Sequence, residues 1–252
     1  MNPAHIALLA GAGLLAGAVN AIAGGGSLIS YPALLAVGLP SVPANVTNSV
    51  ALWPGYVGGA LGYTTSLRKR GRQLAALAVT TTLGGVVGVL LLLSTSPDIF
   101  HALVPFLILA SCLLLAIQPT VAAWVRRLPE RAGGGHGGLL HTCVFVAAVY
   151  GSYFGAGLGV MLLAVLGVLL PESMQETNGL KNALSLLINT VALIAFALFG
   201  PVNWLAVLIM AVASLAGGIG GAHVAKRLNA KVLRATVVVF GVAVAIWLLV
   251  QG

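Results

Sequence analysis

The stretch Asn20-Ala21-Ile22-Ala23-Gly24-Gly25-Gly26-Ser27 interrupts an apolar run with three successive glycines. Glycine loses the most conformational freedom in a helix, so a triplet favours irregular backbone. In hydrocarbon such backbone is tolerated only where protein or a cavity surrounds it. A second interruption follows at Gly155-Ala156-Gly157-Leu158-Gly159. Downstream of the first come Pro32, Pro40 and Thr47-Asn48; downstream of the second come Pro171 and Thr177-Asn178. Identity between the halves is slight, but order and spacing persist. Paired short segments interrupted by Gly or Pro, in matching places of two halves, point to a transporter site built from internal repeats.

Composition agrees with a membrane setting. The 252 residues are 60% hydrophobic and only 6% charged, too apolar for a soluble domain with a polar surface. The +8 net charge lies almost wholly in three clusters: Arg68, Lys69, Arg70 and Arg72; Arg126, Arg127 and Arg131; Lys226, Arg227, Lys231 and Arg234. These separate long apolar runs, which reads as cytoplasmic loops rather than a nucleic-acid surface. Cys112 and Cys143 lack the spacing of a zinc site or disulfide framework. Residues 1–23 lack the basic start of a cleaved signal peptide.

Ten apolar segments are expected, at 4–23, 26–38, 45–63, 73–95, 98–118, 139–156, 158–170, 177–199, 203–223 and 232–250. At 1.5 Å per residue, 26–38 and 158–170 reach roughly 20 Å, too short for an unbroken span. If all ten cross, loops 64–72, 119–138 and 224–231 share one face, and the basic residues make that face cytoplasmic. Had the two short segments merely dipped in and returned, the third cluster would lie opposite the others. The predicted fold is therefore an all-α integral membrane protein with two inverted-topology repeats of about five segments each. The repeats are residues 1–118 and 139–252, joined by a basic linker at 119–138.

Lys181, in Thr177-Asn178-Gly179-Leu180-Lys181-Asn182, is the one basic residue set inside an apolar segment. A cation there costs about 2.5–3.5 kcal/mol on insertion scales and needs a partner or a role. It either holds an anion or snorkels its ammonium to the interface. Thr47-Asn48 and Thr177-Asn178 are read as helix starts, either simple caps or caps whose free N–H groups help bind an anion. Asn20 beside the glycines is a further binding candidate. Gly13 with Gly17, Gly58 with Gly62 and Gly84 with Gly88 read as helix-packing pairs.

The run Ala16-Gly17-Ala18-Val19-Asn20-Ala-Ile-Ala-Gly24-Gly25-Gly26-Ser27, with Pro32, Gly38 and Thr47-Asn48, resembles the first-half signature of the TauE/SafE sulfite exporter family of bacterial permeases. Gly155-x-Gly157-x-Gly159 and Asn178-Gly-Leu-Lys181-Asn182 resemble its second-repeat elements. The resemblance implies a secondary transporter in the bacterial inner membrane that moves sulfite, sulfonate or a related small sulfur-containing anion. The lipid bilayer would be its surroundings, with self-association left open.

The substrate-binding set expected on these grounds is Asn20, Gly24, Gly25, Gly26, Ser27, Thr47, Asn48, Gly155, Gly157, Thr177, Asn178, Lys181 and Asn182. The anion would sit between the two glycine breaks and the Thr-Asn helix starts. Of the four carboxylates, Asp98 and Glu130 read as loop residues, while Glu172 and Glu176 flank the second Thr-Asn element. Glu176 is the candidate for proton coupling. No catalytic constellation, metal cluster or cofactor motif is evident, which disfavours an enzyme. An anion channel and a proton-coupled importer of an organosulfur compound remain alternative readings.

Overall fold

A computed structural model describes residues 1–22, 24–61, 71–125, 137–170, 174–224 and 230–251. Most of the three basic clusters, with Gly62, Glu130 and Glu172, lies outside these residues. The described residues form ten helices: α1 Pro3–Ile22, α2 Ser27–Ala36, α3 Ser41–Leu61, α4 Gly71–Ser94, α5 Pro97–Val125, α6 Gly137–Tyr153, α7 Leu158–Leu169, α8 Met174–Phe199, α9 Trp204–Val224 and α10 Ala230–Gln251. Five of them contain apolar stretches long enough to cross a membrane, in α1, α4, α5, α8 and α9. Leu90, Leu113, Leu208 and Val250 are among many large apolar side chains left exposed, a surface suited to lipid rather than water. The chain is an all-α integral membrane protein.

Side-chain contacts fix the helix directions. Gly13 and Gly17 of α1 pack on Met210 and Ser214 of α9, so these helices run parallel. Gly55 and Gly58 of α3 pack on Ser214 and Ile219, so α3 also runs parallel to α9, and hence to α1. Against α8, α3 is antiparallel: Trp53 Nε1 donates to Thr190 Oγ1 at 2.8 Å, while Val46 lies beside Gly200. Because α1 and α3 point the same way, α2 must carry the chain back between them. This alternation of directions excludes the arrangement in which the first short segment starts and ends at one face.

At ten residues α2 reaches only about 15 Å, and α7 at twelve about 18 Å. The turns that precede them are not at the protein's surface. Gly24, Gly25 and Gly26 are buried, as are Ala156 and Gly157. A β-carbon on Gly24 would stand 2.7 Å from the Cα of Gly159. The α1–α2 and α6–α7 segments are thus helical hairpins whose tips touch inside the protein. Both tips also rest on the middle of α5, Gly25 against Leu115 and Gly157 against Ser111.

The same local geometry occurs twice. Gly24 has φ +85° and its N–H bonds the Val19 carbonyl at 3.0 Å; Gly155 has φ +81° and its N–H bonds the Tyr150 carbonyl at 3.3 Å. Only glycine adopts such a φ without strain. The packing pairs recur too. Gly217 and Gly221 of α9 press on Leu14 and Ala18 of α1, while Gly84 and Gly88 of α4 press on the carbonyls of Phe145 and Val149 of α6. Leu14 and Phe145, Ala18 and Val149, and Gly24 and Gly155 all stand 131 residues apart. The helix-packing role expected of Gly13, Gly17, Gly58, Gly84 and Gly88 is what these contacts show.

Candidate functional site

The first hairpin tip is closed by Asn20. Its Oδ1 accepts the Gly26 N–H at 2.7 Å, a buried bond across the break. Gly26 allows this because its Cα lies so near α1 that a β-carbon would fall 2.1 Å from the Ala16 carbonyl oxygen. Ser27, which begins α2, is buried. The Nδ2 of Asn20 is also buried and has no partner among the described residues. Such a group costs about 1–3 kcal/mol unless a water or ligand engages it.

The second tip is held differently. The Ala156 carbonyl accepts from Tyr150 OH at 2.7 Å and lies 3.0 Å from Ser111 Oγ, and these two hydroxyls are 2.7 Å apart. Asn45 Nδ2 donates to the Tyr153 carbonyl at 2.8 Å, tying α3 to the end of α6. Tyr31 meets Phe154 and Phe100 meets Tyr153 edge-on around this turn, with centroids 5.5 and 5.8 Å apart, and Phe100 lies tilted against Phe154 at 6.5 Å. Asn45, Ser111, Tyr150 and Gly159 were not in the expected set. An asparagine three residues before Asn48 in an apolar helix was the available signal for Asn45; the hydroxyls had none.

On α8, Thr177, Lys181, Asn182, Ser185 and Asn189 are buried and fall on one side of the helix. That side meets α3, where the Tyr56 hydroxyl bonds Asn189. Lys181 is only 2% exposed and is the one buried charged residue among the described side chains. No hydrogen bond or ion pair reaches it among the described residues. The side chain as a whole is enclosed by the protein. Asn178 is half-buried, and Thr177, Asn178 and Glu176 each make an interaction of their own. Asn182 Nδ2 is buried without a partner among the described residues.

The Thr-Asn elements require a correction. α3 begins at Ser41, with Pro43 in its first turn, so Thr47 and Asn48 stand in the second turn and cannot cap it. Thr47 Oγ1 instead accepts the N–H of Asn203, which leads into α9. Thr177 and Asn178 do lie near the start of α8, which begins at Met174. From the Trp53–Thr190 bond, Asn48 lies five residues toward one end of the antiparallel pair and Lys181 nine toward the other. At 1.5 Å per residue this separates them by about 20 Å. One small anion cannot touch both Thr-Asn elements at once. Asn45 Oδ1 and Asn48 Oδ1 at the far end are buried acceptors without partners among the described residues.

No group of three or more His, Cys, Asp or Glu side chains that could hold a metal is found among the described residues.

The model of the family described as sulfite exporter TauE/SafE matches residues 9–248. The chain belongs to this family. Curated relatives extend along nearly the whole length. A probable membrane transporter protein, ORF9, of Sinorhizobium is 28% identical over 250 residues, 97% of this chain and 92% of the relative. A probable membrane transporter protein of Haemophilus influenzae is 29% identical over 237 residues, covering 93% and 90%. The probable membrane transporter protein YfcA of Escherichia coli K12 is 24% identical over 250 residues, covering 95% and 87%. No solved structure matches. As a TauE/SafE member the chain is a membrane transporter and not an enzyme.

Proposed function

We propose that the protein exports sulfite, a sulfonate or a related small sulfur-containing anion across the bacterial inner membrane. The observation that carries this reading is Lys181, a cation buried in α8 of a bundle that also holds two touching glycine-tipped hairpins. The hairpins enter from opposite ends of the bundle. Two inverted repeats account for this, since the turn geometry and the glycine contacts recur at a 131-residue offset while α3 and α8 run antiparallel.

The parallel packing of α3 with α9 and of α4 with α6 supports putting the helix ends that flank 62–70, 126–136 and 225–229 at one end of the bundle, and the basic residues of those segments favour a cytoplasmic side for it. α8 starts at that end. Lys181, Asn182, Thr177, Asn178, Asn20, Gly24, Gly25, Gly26 and Ser27 then form the half-site that takes the anion from the cytoplasm. Gly155, Gly157, Thr47 and Asn48 belong to the half-site beyond the tips, which has no buried cation and releases it. Rocking of the two repeats about the touching tips alternates access.

Lys181→Met keeps the apolar stem and removes the charge. The expected result is a folded protein, by thermal shift in detergent, whose sulfite flux in liposomes falls at least tenfold. Normal flux in a folded Lys181→Met protein would overturn the assignment.

A further inference from the structure

We propose that the carrier selects monoanions, such as hydrogen sulfite and alkyl sulfonates, over dianions such as sulfate. This rests on the anion-carrier reading of the preceding section.

The first ground is the charge count. Of the described charged side chains, Arg72 and Asp98 are exposed, Glu176 and Arg234 are half-buried, and Lys181 alone is buried. A charge taken out of water must be matched by an opposite one, and among the described residues the interior supplies a single positive charge. A monoanion beside Lys181 is neutralised. A dianion would bring a net negative charge into the same region, with the carboxylate of Glu176 five residues away in sequence.

The second ground is the donor set. Asn20 Nδ2 and Asn182 Nδ2, both assigned above to the proposed cytoplasmic half-site, are buried amide donors without partners among the described residues, and the Lys181 ammonium can donate three bonds. Neutral amides satisfy oxygen acceptors without adding charge. A sulfonate or hydrogen sulfite presents several oxygens but one charge, the ratio that one ammonium and two amides answer. A second Lys or Arg in place of either asparagine would be the expected device for a dianion, as cation clusters are for phosphate.

The test uses wild-type protein in liposomes, with the membrane potential held at zero by valinomycin and equal potassium on both sides. Vesicles are preloaded with unlabelled sulfite, and uptake of radiolabelled methanesulfonate, sulfate and sulfite is compared. Methanesulfonate is a monoanion and sulfate a dianion throughout the neutral range. The expected result is methanesulfonate exchange at least tenfold faster than sulfate exchange. Sulfate exchanging as fast as methanesulfonate, with sulfite exchange intact, overturns the selectivity and leaves the carrier. Absence of exchange for all three anions overturns the carrier reading itself, and the selectivity with it.

Discussion

Replacing Gly24 with alanine tests whether the two hairpin tips meet. Gly24 has φ +85°, and a β-carbon there would lie 2.7 Å from Gly159 Cα and 3.2 Å from its N and C atoms. An L-residue in the left-handed region costs roughly 1–2 kcal/mol. The contact is with backbone, which cannot swing aside as a flexible side chain does, and forcing atoms into a packed interior typically costs about 1–3 kcal/mol more. Gly24→Ala should therefore destabilise by about 2–5 kcal/mol.

Gly38→Ala separates the two terms. Gly38 has φ +91°, but nothing lies within 4 Å of its β-carbon position, so only the strain of about 1–2 kcal/mol applies. Gly157→Ala, with φ +79° and its nearest neighbour at the ordinary distance of 3.5 Å, should resemble Gly38→Ala. Unfolding of the purified variants in mixed micelles, followed by circular dichroism against denaturant, gives the differences. A Gly24→Ala protein no less stable than Gly38→Ala would show that the tips do not touch.

Other outcomes follow from the same contacts. Asn20→Leu strips the Gly26 N–H of its acceptor and should destabilise by about 1–3 kcal/mol in the same unfolding assay, whereas Asn20→Asp keeps the acceptor and should fold but lose sulfite flux to charge repulsion. Single cysteines at Gly71, Gly135 and Asn229, in a background lacking Cys112 and Cys143, should all resist an impermeant thiol reagent on intact cells; labelling of one but not the others breaks the proposed topology. Export of an anion from a cell negative inside gains about 2.3 kcal/mol per charge per 100 mV. Sulfite efflux should thus speed up under an inside-negative potassium diffusion potential without a pH gradient. Flux indifferent to voltage, driven by a pH gradient and abolished by Glu176→Gln, would instead mean proton coupling.

The ten segments and both breaks were legible because apolar runs and glycine clusters act locally, through hydration and backbone freedom. Helix starts were less so. Pro43 fits the first turn of α3, so the helix begins at Ser41 and Thr47-Asn48 end up inside it, although Thr and Asn locally resemble caps. Glycine spacing in α1 and α4 announced close packing but not the partner. That α1 pairs with α9, and α4 with α6, depends on long-range fit that no local pattern encodes. Lys181 stood out by charge alone, while its 20 Å separation from Asn48 needed the α3–α8 register. Ser111 and Tyr150 gave no warning, since a hydroxyl in an apolar helix usually bonds its own backbone.

The pairing of α1 with α9 also has a consequence for how the protein is made. Gly13 and Gly17 meet the backbone of Met210 and Ser214, which leave the ribosome about 200 residues later, a delay of roughly 10–40 s at 5–20 residues per second. Throughout that interval α1 sits in the bilayer with its glycine groove filled by lipid or by a temporary neighbour. The complementary pair, α4 with α6, is complete far sooner, because few residues separate Ser94 from Val149 by comparison. One half of the bundle is thus born with its clamp to hand, and the other waits for nearly the last helix translated. A chain cut short before α9 would leave α1 without the surface on which Gly13 and Gly17 pack.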